Sequence, residues 1–346
     1  MTYAELLRMA SDRLFVIGEA GVNHDGSLDK ARALVDIAVT AGCDAVKFQT
    51  WITEAVYSRT LSQKPEYMLD VTDRAESEFE TVKKNELSFE AFRELKQYCD
   101  RKGILFLSTP DENQSTDFLV SIGQPFLKTS SQDVTNLPFL RYVAGKGLPV
   151  IFSSGASTLA ETTEAVETIL AENKEVVLFH TVSAYPAPTE EMNLRVIPTL
   201  ERLFGLPVGL SDHTTGIEAS CAAVALGARI FEKHFTADPS APGPDHRASL
   251  APSQLKDYVD TLRSVYRGLG DGIKRVMPCE ENVRQTFRRF LVSAAEIPKG
   301  HVFRFEDFHF KKISTGIAPK DIVRIVGRRA NQDIRADEPI DWNHVS

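Results

Sequence analysis

Residues Gly209–Phe235 read GLSDHTTGIEASCAAVALGARIFEKHF. Two short apolar runs, PVGL (207–210) and ARIF (228–231), each end in a polar cluster: Ser211-Asp212-His213, then Glu232-Lys233-His234. Between them, Gly216 to Gly227 has the Ala-rich face of a packed helix. Two strand ends joined by a helix form a βαβ unit, and side chains at the same ends of neighbouring parallel strands converge. The stretch therefore lets His213 and His234 meet. Two neutral imidazoles with a carboxylate nearby, Glu232 or Asp212, suit a divalent metal. The competing reading is that each histidine caps a strand end through a hydrogen bond.

Outward from this unit the same rhythm repeats. Apolar runs near Leu14–Glu19, Ala45–Gln49, Ile104–Ser108, Pro125–Thr129, Pro149–Ser153 and Val176–His180 read as buried strands, ahead of the two runs at 207–210 and 228–235. Helical patterns separate them, near Leu28–Ala41, Ser88–Lys102, Ser115–Ile122, Leu137–Gly145, Leu159–Ala171, Asn193–Leu203 and Ile217–Leu226, with a last one near Ser253–Leu269. Ser88 and Ser253 read as N-caps. This pattern predicts an α/β fold, a (β/α)8 barrel, rather than a doubly wound sheet. The polar residues fall at the predicted strand ends: Glu19, Lys47 with Gln49, Ser108-Thr109, Lys128, Ser153-Ser154, His180, and the two clusters above. Lys47 in AVKFQ and Lys128 in FLKTS lie in apolar strand contexts, where an ammonium needs a partner. One such lysine suggests an ion pair with Glu19. Two, beside Ser153, Ser154 and Ser211, point to a small polyanion bearing carboxylate and phosphate.

Two connections stand apart. The stretch 51–87 is too long for a plain βα loop and suits a segment covering a substrate. The Pro-rich TADPSAPGPDHRASLAP (236–252) places Asp245 and His246 just past the last strand, as site residues or as turn and cap chemistry. The barrel pattern stops near Asp271–Pro278. The sequence thus divides into a barrel over 1–279, a charged helical linker over 280–289, and a small, mostly β module over 290–346. Bulk properties narrow the partners. A net charge of −8 disfavours nucleic acid. The 4 cysteines form no CxxC pair and read as reduced thiols. No signal peptide and no run of about 18 apolar residues is seen, so no membrane span and a cytoplasmic location are expected.

The chain also resembles the sialic acid (N-acetylneuraminate) synthases and their relatives that make legionaminate and other nonulosonic acids. The matching segments are IGEAGVNHDGSLDKA (17–31), VKFQT (46–50), FLSTP (106–110), TNLP (135–138), SSGASTL (153–159), YPAPTEEMNLR (185–195), GLSDHTTGIE (209–218), EKHFT (232–236) and GPDHRASLAP (243–252). SAAEIPKG (293–300) and GRRANQDI (327–334) resemble the family's C-terminal antifreeze-like (SAF) domain, a β-clip fold. The resemblance implies a (β/α)8 barrel followed by that capping domain, in a homodimer where the small domain of one chain covers the barrel of the other. It implies condensation of phosphoenolpyruvate with an N-acylated hexosamine such as N-acetylmannosamine, releasing phosphate by C–O cleavage. By the same resemblance His213 and His234 match ligands of a divalent metal, usually Mn2+ with Mg2+ or Co2+ as alternatives, and Glu232 holds a metal-bound water. Lys47 and Lys128 match the lysines that grip phosphoenolpyruvate, and Thr109, Ser131, Ser154 and Ser211 its hydroxyl donors. Glu19 and Asp133 match carboxylates near the reacting atoms. Gln49, Tyr185 and Asp245 match contacts to the sugar.

Some positions depart from the family pattern. KTSSQD (128–133) stands for KIGSGE, so Gln132 replaces Gly and the shorter Asp133 replaces Glu. Ser183 stands where some members use Asn against phosphoenolpyruvate. Lys312 stands where a capping-domain Arg often meets the N-acyl oxygen, and Lys lacks that fork. These changes bear on which amino sugar is used and leave the reaction class intact. Two alternatives remain at this level: a 3-deoxy-2-keto sugar acid phosphate synthase acting on a phosphorylated sugar, and a non-catalytic carbohydrate-binding protein.

Overall fold

Eight strands carry the apolar runs: β1 (Phe15–Gly21), β2 (Ala45–Thr50), β3 (Leu105–Pro110), β4 (Leu127–Thr129), β5 (Val150–Ser153), β6 (Val176–Thr181), β7 (Val208–Asp212) and β8 (Ile230–His234). The computed structural model describes residues 1–346 and pairs these strands in parallel, in the order β3-β2-β1-β8-β7-β6-β5-β4. β3 and β4 also lie side by side, so the sheet is a nearly closed TIM-like barrel, as the strand–helix rhythm predicts. Each strand is buried on both faces, which explains why the runs are continuously apolar rather than alternating. Inside the ring Phe15, Ile17, Leu107, Phe126, Ile151 and Phe179 form one core cluster. The N-terminal helix Tyr3–Arg13 plugs its lower mouth with Leu6 and Ala10, an element not read from the sequence.

The helices around the ring start and stop where their side chains dictate. Ser27 caps Leu28–Ala41 by accepting from Lys30 N, and Gly42 ends it in the left-handed region at φ 81°. Ser88 caps Phe89–Lys102 as expected. Ser253 does not cap its helix. That helix runs Pro252–Leu269, Ser253 lies inside its first turn, and Gln254 reaches back to the Ala251 N–H at 2.8 Å. Proline at the first helical position moved the start back by one residue.

The seam between β3 and β4 is closed by a side chain. Buried Gln124 accepts from Ser108 N at 2.7 Å and donates to Ser108 O at 2.9 Å and Phe126 O at 2.7 Å. Gln124→Leu would leave three backbone groups unpaired in a dry environment. A loss of about 3 kcal/mol is expected, read as a lower midpoint in denaturant. An unchanged midpoint would show that the seam does not depend on this amide.

The chain divides into Met1–Gly270 and Asp271–Ser346. The second unit has a small antiparallel sheet, β9 (Arg289–Ser293) with β10 (Phe308–Lys312), and isolated bridges such as Ile297 with Ile334. Leu291, Phe303, Ile317, Ile325 and Ile340 form its core. The helix Glu281–Phe287, read as a connector, groups with this unit. No helix is long and apolar enough to cross a membrane.

Candidate active site

Alternation along β7 and β8 builds the centre of the site. Ser211 and His213 turn into the barrel mouth, and so do Glu232 and His234. The residues between them turn outward: Asp212 and Lys233 form a fully buried ion pair at 3.0 Å. Lys233 also donates to Thr214 O at 2.6 Å, and Asp212 accepts from Thr214 N at 2.8 Å and Ser220 Oγ at 2.6 Å. With every partner satisfied, this outer network fixes the turn that carries His213.

The two imidazoles meet, with ring centroids 5.4 Å apart. Tyr185 stacks on His213 at 4.2 Å and meets His234 edge-on at 5.6 Å. His213 Nδ1 donates to Val182 O at 2.8 Å, which leaves its Nε2 lone pair toward the cavity. His234 Nδ1 is buried without a hydrogen-bond partner, and Asp245 Oδ2 is 3.6 Å from it. Burial pushes His213 down to about 4 and, with the neighbouring His213, holds His234 well below the ordinary histidine range. Both rings are therefore neutral at pH 7, the form that ligates a cation. Glu232 Oε2 is another buried atom without a hydrogen-bond partner. No three protein ligands close on one point. This donor set fits a divalent ion that keeps open positions for water or substrate, as catalytic sites do.

Beneath the imidazoles lies a layer of buried charge. Lys47 Nζ sits 2.9 Å from Glu19 and 2.8 Å from Thr109 Oγ1. Lys128 Nζ donates to Ser153 Oγ at 2.6 Å and Thr129 O at 3.0 Å, and lies 3.9 Å from Glu232. Ser211 Oγ donates to Glu232 at 2.9 Å, and Gln49 to Glu19 at 3.4 Å. Burial pushes Glu19 up to about 8 and Lys128 down to about 8. Burial acts on Glu232 as well, but Lys128, Lys47 and the Ser211 hydroxyl outweigh it and hold that carboxyl below its usual range. The result is a pocket of about 230 Å³ in which both lysines already face an acceptor and an arriving anion adds charge balance.

Of the residues singled out from sequence, Glu19, Lys47, Gln49, Thr109, Lys128, Ser131, Tyr185, Ser211, His213, Glu232, His234 and Asp245 line this one cavity. Four do not. Ser154 spends its hydroxyl on Phe179 O at 2.9 Å, and its neighbour Ser153 lines the cavity instead. Ser183 lies beside Ser131 around Gly155. Asp133 turns into an adjoining depression. Lys312 is on β10 in the second unit, with Nζ 3.5 Å above the Phe287 ring. His180 is a backbone partner, bound to Met192 O at 2.7 Å. Sequence reading missed Asp111, Tyr57, Tyr67 and Glu78 on the cavity wall. Asp111 follows Thr109 by two residues, so period-2 alternation pointed to it. The other three come from the 51–87 stretch, whose short helices Thr53–Val56, Glu66–Leu69 and Glu78–Asn85 shape the wall beside Tyr185.

Gly155 marks where backbone must approach closely. A Cβ there would lie 2.2 Å from Ser183 Oγ and 2.7 Å from Ser131 Oγ, and Gly155 N donates to Ser131 at 3.0 Å. Gly155→Ala should push both hydroxyls aside and raise KM for an anionic substrate about tenfold or more, with kcat less affected. An unchanged KM would remove Ser131 from the binding surface.

Comparison with known proteins agrees with this architecture. Residues 34–274 match the NeuB family, and residues 288–346 match the SAF domain. The chain is 39% identical over 343 residues to N,N'-diacetyllegionaminic acid synthase of Legionella pneumophila, covering 98% of this chain and 96% of that one. It is 33% identical to human N-acetylneuraminate-9-phosphate synthase, over 94% of this chain and 91% of the relative. The crystal structure of the N-acetylneuraminic acid (sialic acid) synthetase of Leptospira borgpetersenii, in complex with citrate, superposes with a TM-score of 0.71 at 33% identity, covering 79% of this chain and 91% of that one. On its barrel, its C-terminal module and these matches, the chain belongs to the NeuB family and carries a SAF domain.

Proposed function

We propose that this protein condenses phosphoenolpyruvate with an N-acylated amino sugar to give a nonulosonic acid and inorganic phosphate. The observation that carries the reading is the meeting, in one cavity, of two buried lysines with two neutral imidazoles and Glu232. Lys47, Lys128, Thr109, Ser131 and Ser211 offer donors to the carboxylate and phosphate of phosphoenolpyruvate. Gln49, Tyr185 and Asp245 line the same cavity and, in this reading, contact the sugar. In the reaction, C3 of the enol ester bonds to the sugar's aldehyde carbon and the aldehyde oxygen gains a proton. Water then bonds to C2, and the C2–O bond to phosphate breaks. Glu19, held protonated at neutral pH by burial, is placed to exchange a proton with that water or oxygen. His213 and His234 would hold a divalent cation, with Glu232 reaching it through water. When bound, that cation, in our reading Mn2+ with Mg2+ or Co2+ as substitutes, polarises the aldehyde oxygen.

The cationic side chains lining the cavity are Lys47 and Lys128, beside the imidazoles. None remains for a phosphate on the acceptor, which favours an unphosphorylated sugar. We further propose a homodimer in which the SAF domain covers the partner's barrel. Exposed Phe305, Val323 and Trp342 on that unit support a covering role. A cytoplasmic location is proposed from its 4 free cysteines. The test is product mass spectrometry after incubating the full chain with phosphoenolpyruvate, Mn2+ and a panel of N-acylated hexosamines. One phosphate per nine-carbon keto acid is expected. Phosphate release from none of the panel would overturn the reading.

A further inference from the structure

Three buried oxygens without a hydrogen-bond partner line the cavity: Glu19 Oε2, Glu232 Oε2 and Thr181 Oγ1. The two carboxylate atoms have Lys47 Nζ at 2.9 and 3.8 Å. Thr181 Oγ1 has neither an ion partner nor a hydrogen bond, and the residue is 5% exposed. An unpaired hydroxyl in a dry wall is destabilising, and valine would fill the same space without that cost.

The strand decides where this hydroxyl points. Along β6, Val177 and Phe179 belong to the cluster inside the ring, so alternation turns Thr181 inward as well, one step nearer the mouth. Thr181 stands in register with Ser211 on β7, and Phe179 with Ser153 on β5. Hydroxyls from three adjacent strands therefore line one side of the cavity. They are not equivalent. Ser211 spends its proton on Glu232 at 2.9 Å, and Ser153 accepts from Lys128 at 2.6 Å. The Lys128 ammonium also lies 5.6 Å from the centre of the Phe179 ring, the residue beneath Thr181 in the inward row. An anionic oxygen that settles on Lys128 thus arrives beside a hydroxyl whose proton is uncommitted. An alkyl group there would leave the O–H unpaired, and a cation would gain no counter-charge from it.

We infer that Thr181 is a further binding residue for the anionic substrate, its hydroxyl donating to an oxygen of phosphoenolpyruvate that Lys128 holds. The inference rests on the condensation proposed above. It carries a signature that a purely structural threonine lacks. The hydroxyl weakens the free protein and strengthens the complex, so removing it moves stability and affinity in opposite directions.

The test compares the full chain with Thr181→Val, which exchanges the hydroxyl for a methyl of similar size, and with Thr181→Ser, which keeps the hydroxyl and drops the methyl. Calorimetric titration with phosphoenolpyruvate, in Mn2+ and without an acceptor, reads affinity. The denaturant midpoint without ligand reads the fold. Thr181→Val should bind phosphoenolpyruvate about tenfold or more weakly, with a midpoint equal to or above that of the unaltered chain. Thr181→Ser should bind within about threefold of the unaltered chain. In turnover, Thr181→Val should raise KM for phosphoenolpyruvate and leave KM for the amino sugar unchanged. Equal affinity of Thr181→Val and the unaltered chain overturns the inference and leaves the condensation standing. So does a Thr181→Ser variant as weak as Thr181→Val, because methyl packing then carries the effect. So does a lowered midpoint in Thr181→Val, which would give the hydroxyl a partner inside the protein. An unaltered chain that binds no phosphoenolpyruvate overturns the condensation as well.

Discussion

Replacing His234 with alanine should abolish condensation and remove the divalent cation that we propose it holds with His213. His234 and His213 are the two neutral rings that face each other in the cavity, and neither has a basic substitute nearby. Removing one leaves a single imidazole and the more distant Glu232, too few to retain a catalytic ion at micromolar concentration. Lewis-acid assistance supplies several kcal/mol, so kcat should fall by about 10³-fold or more. Phosphate release and elemental analysis of dialysed protein check the two halves separately. His234→Gln, which keeps bulk and polarity, should fail in the same way. A metal-free variant with near-normal turnover would remove the ion from the reaction.

Phosphoenolpyruvate affinity should be full below pH 8 and fall as the pH climbs through that value. Two groups set the direction. Burial has pushed Lys128 down to about 8, so its positive charge is present below that pH and lost above it. Burial has pushed Glu19 up to about 8, so it is neutral below that pH and gains negative charge above it, 2.9 Å from Lys47. Both changes make the pocket less welcoming to an anion. Lys128→Met should weaken binding about 10- to 100-fold at pH 7, the worth of a charge-assisted contact, and flatten the pH dependence. Calorimetric titration from pH 6.5 to 9.5 reads both effects. Affinity that rises with pH would mean the ligand does not lie on this lysine layer.

The sequence carried most of the barrel because each strand is buried on both faces and therefore spells a continuous apolar run. The helix start at Ser88 was legible because that serine caps, and the one at Ser253 was misread because Pro252 sets the start. The lysines stood out because an ammonium in AVKFQ or FLKTS, both apolar strand contexts, needs a partner. What stayed hidden depends on contacts between distant segments. Gln124 looks like an ordinary polar residue after a helix until β3 and β4 are side by side. Asp133 and Ser154 sit in the matching motif segments, but their atoms are turned by local turns toward Asn136 and Phe179. Nothing in the one-dimensional pattern reports that rotation.

The seam that Gln124 bridges has a consequence for the depression that opens beside it. Asp111 comes directly after β3, and Gln132 and Asp133 come shortly after β4, so the depression straddles the one joint in the ring that lacks a ladder of backbone bonds. Small shifts there alter the spacing of its walls without breaking sheet pairing anywhere else. Substitutions confined to residues 111–114 and 132–136 should therefore reshape this depression while leaving Lys47, His213 and His234, on or next to strands paired on both sides, undisturbed.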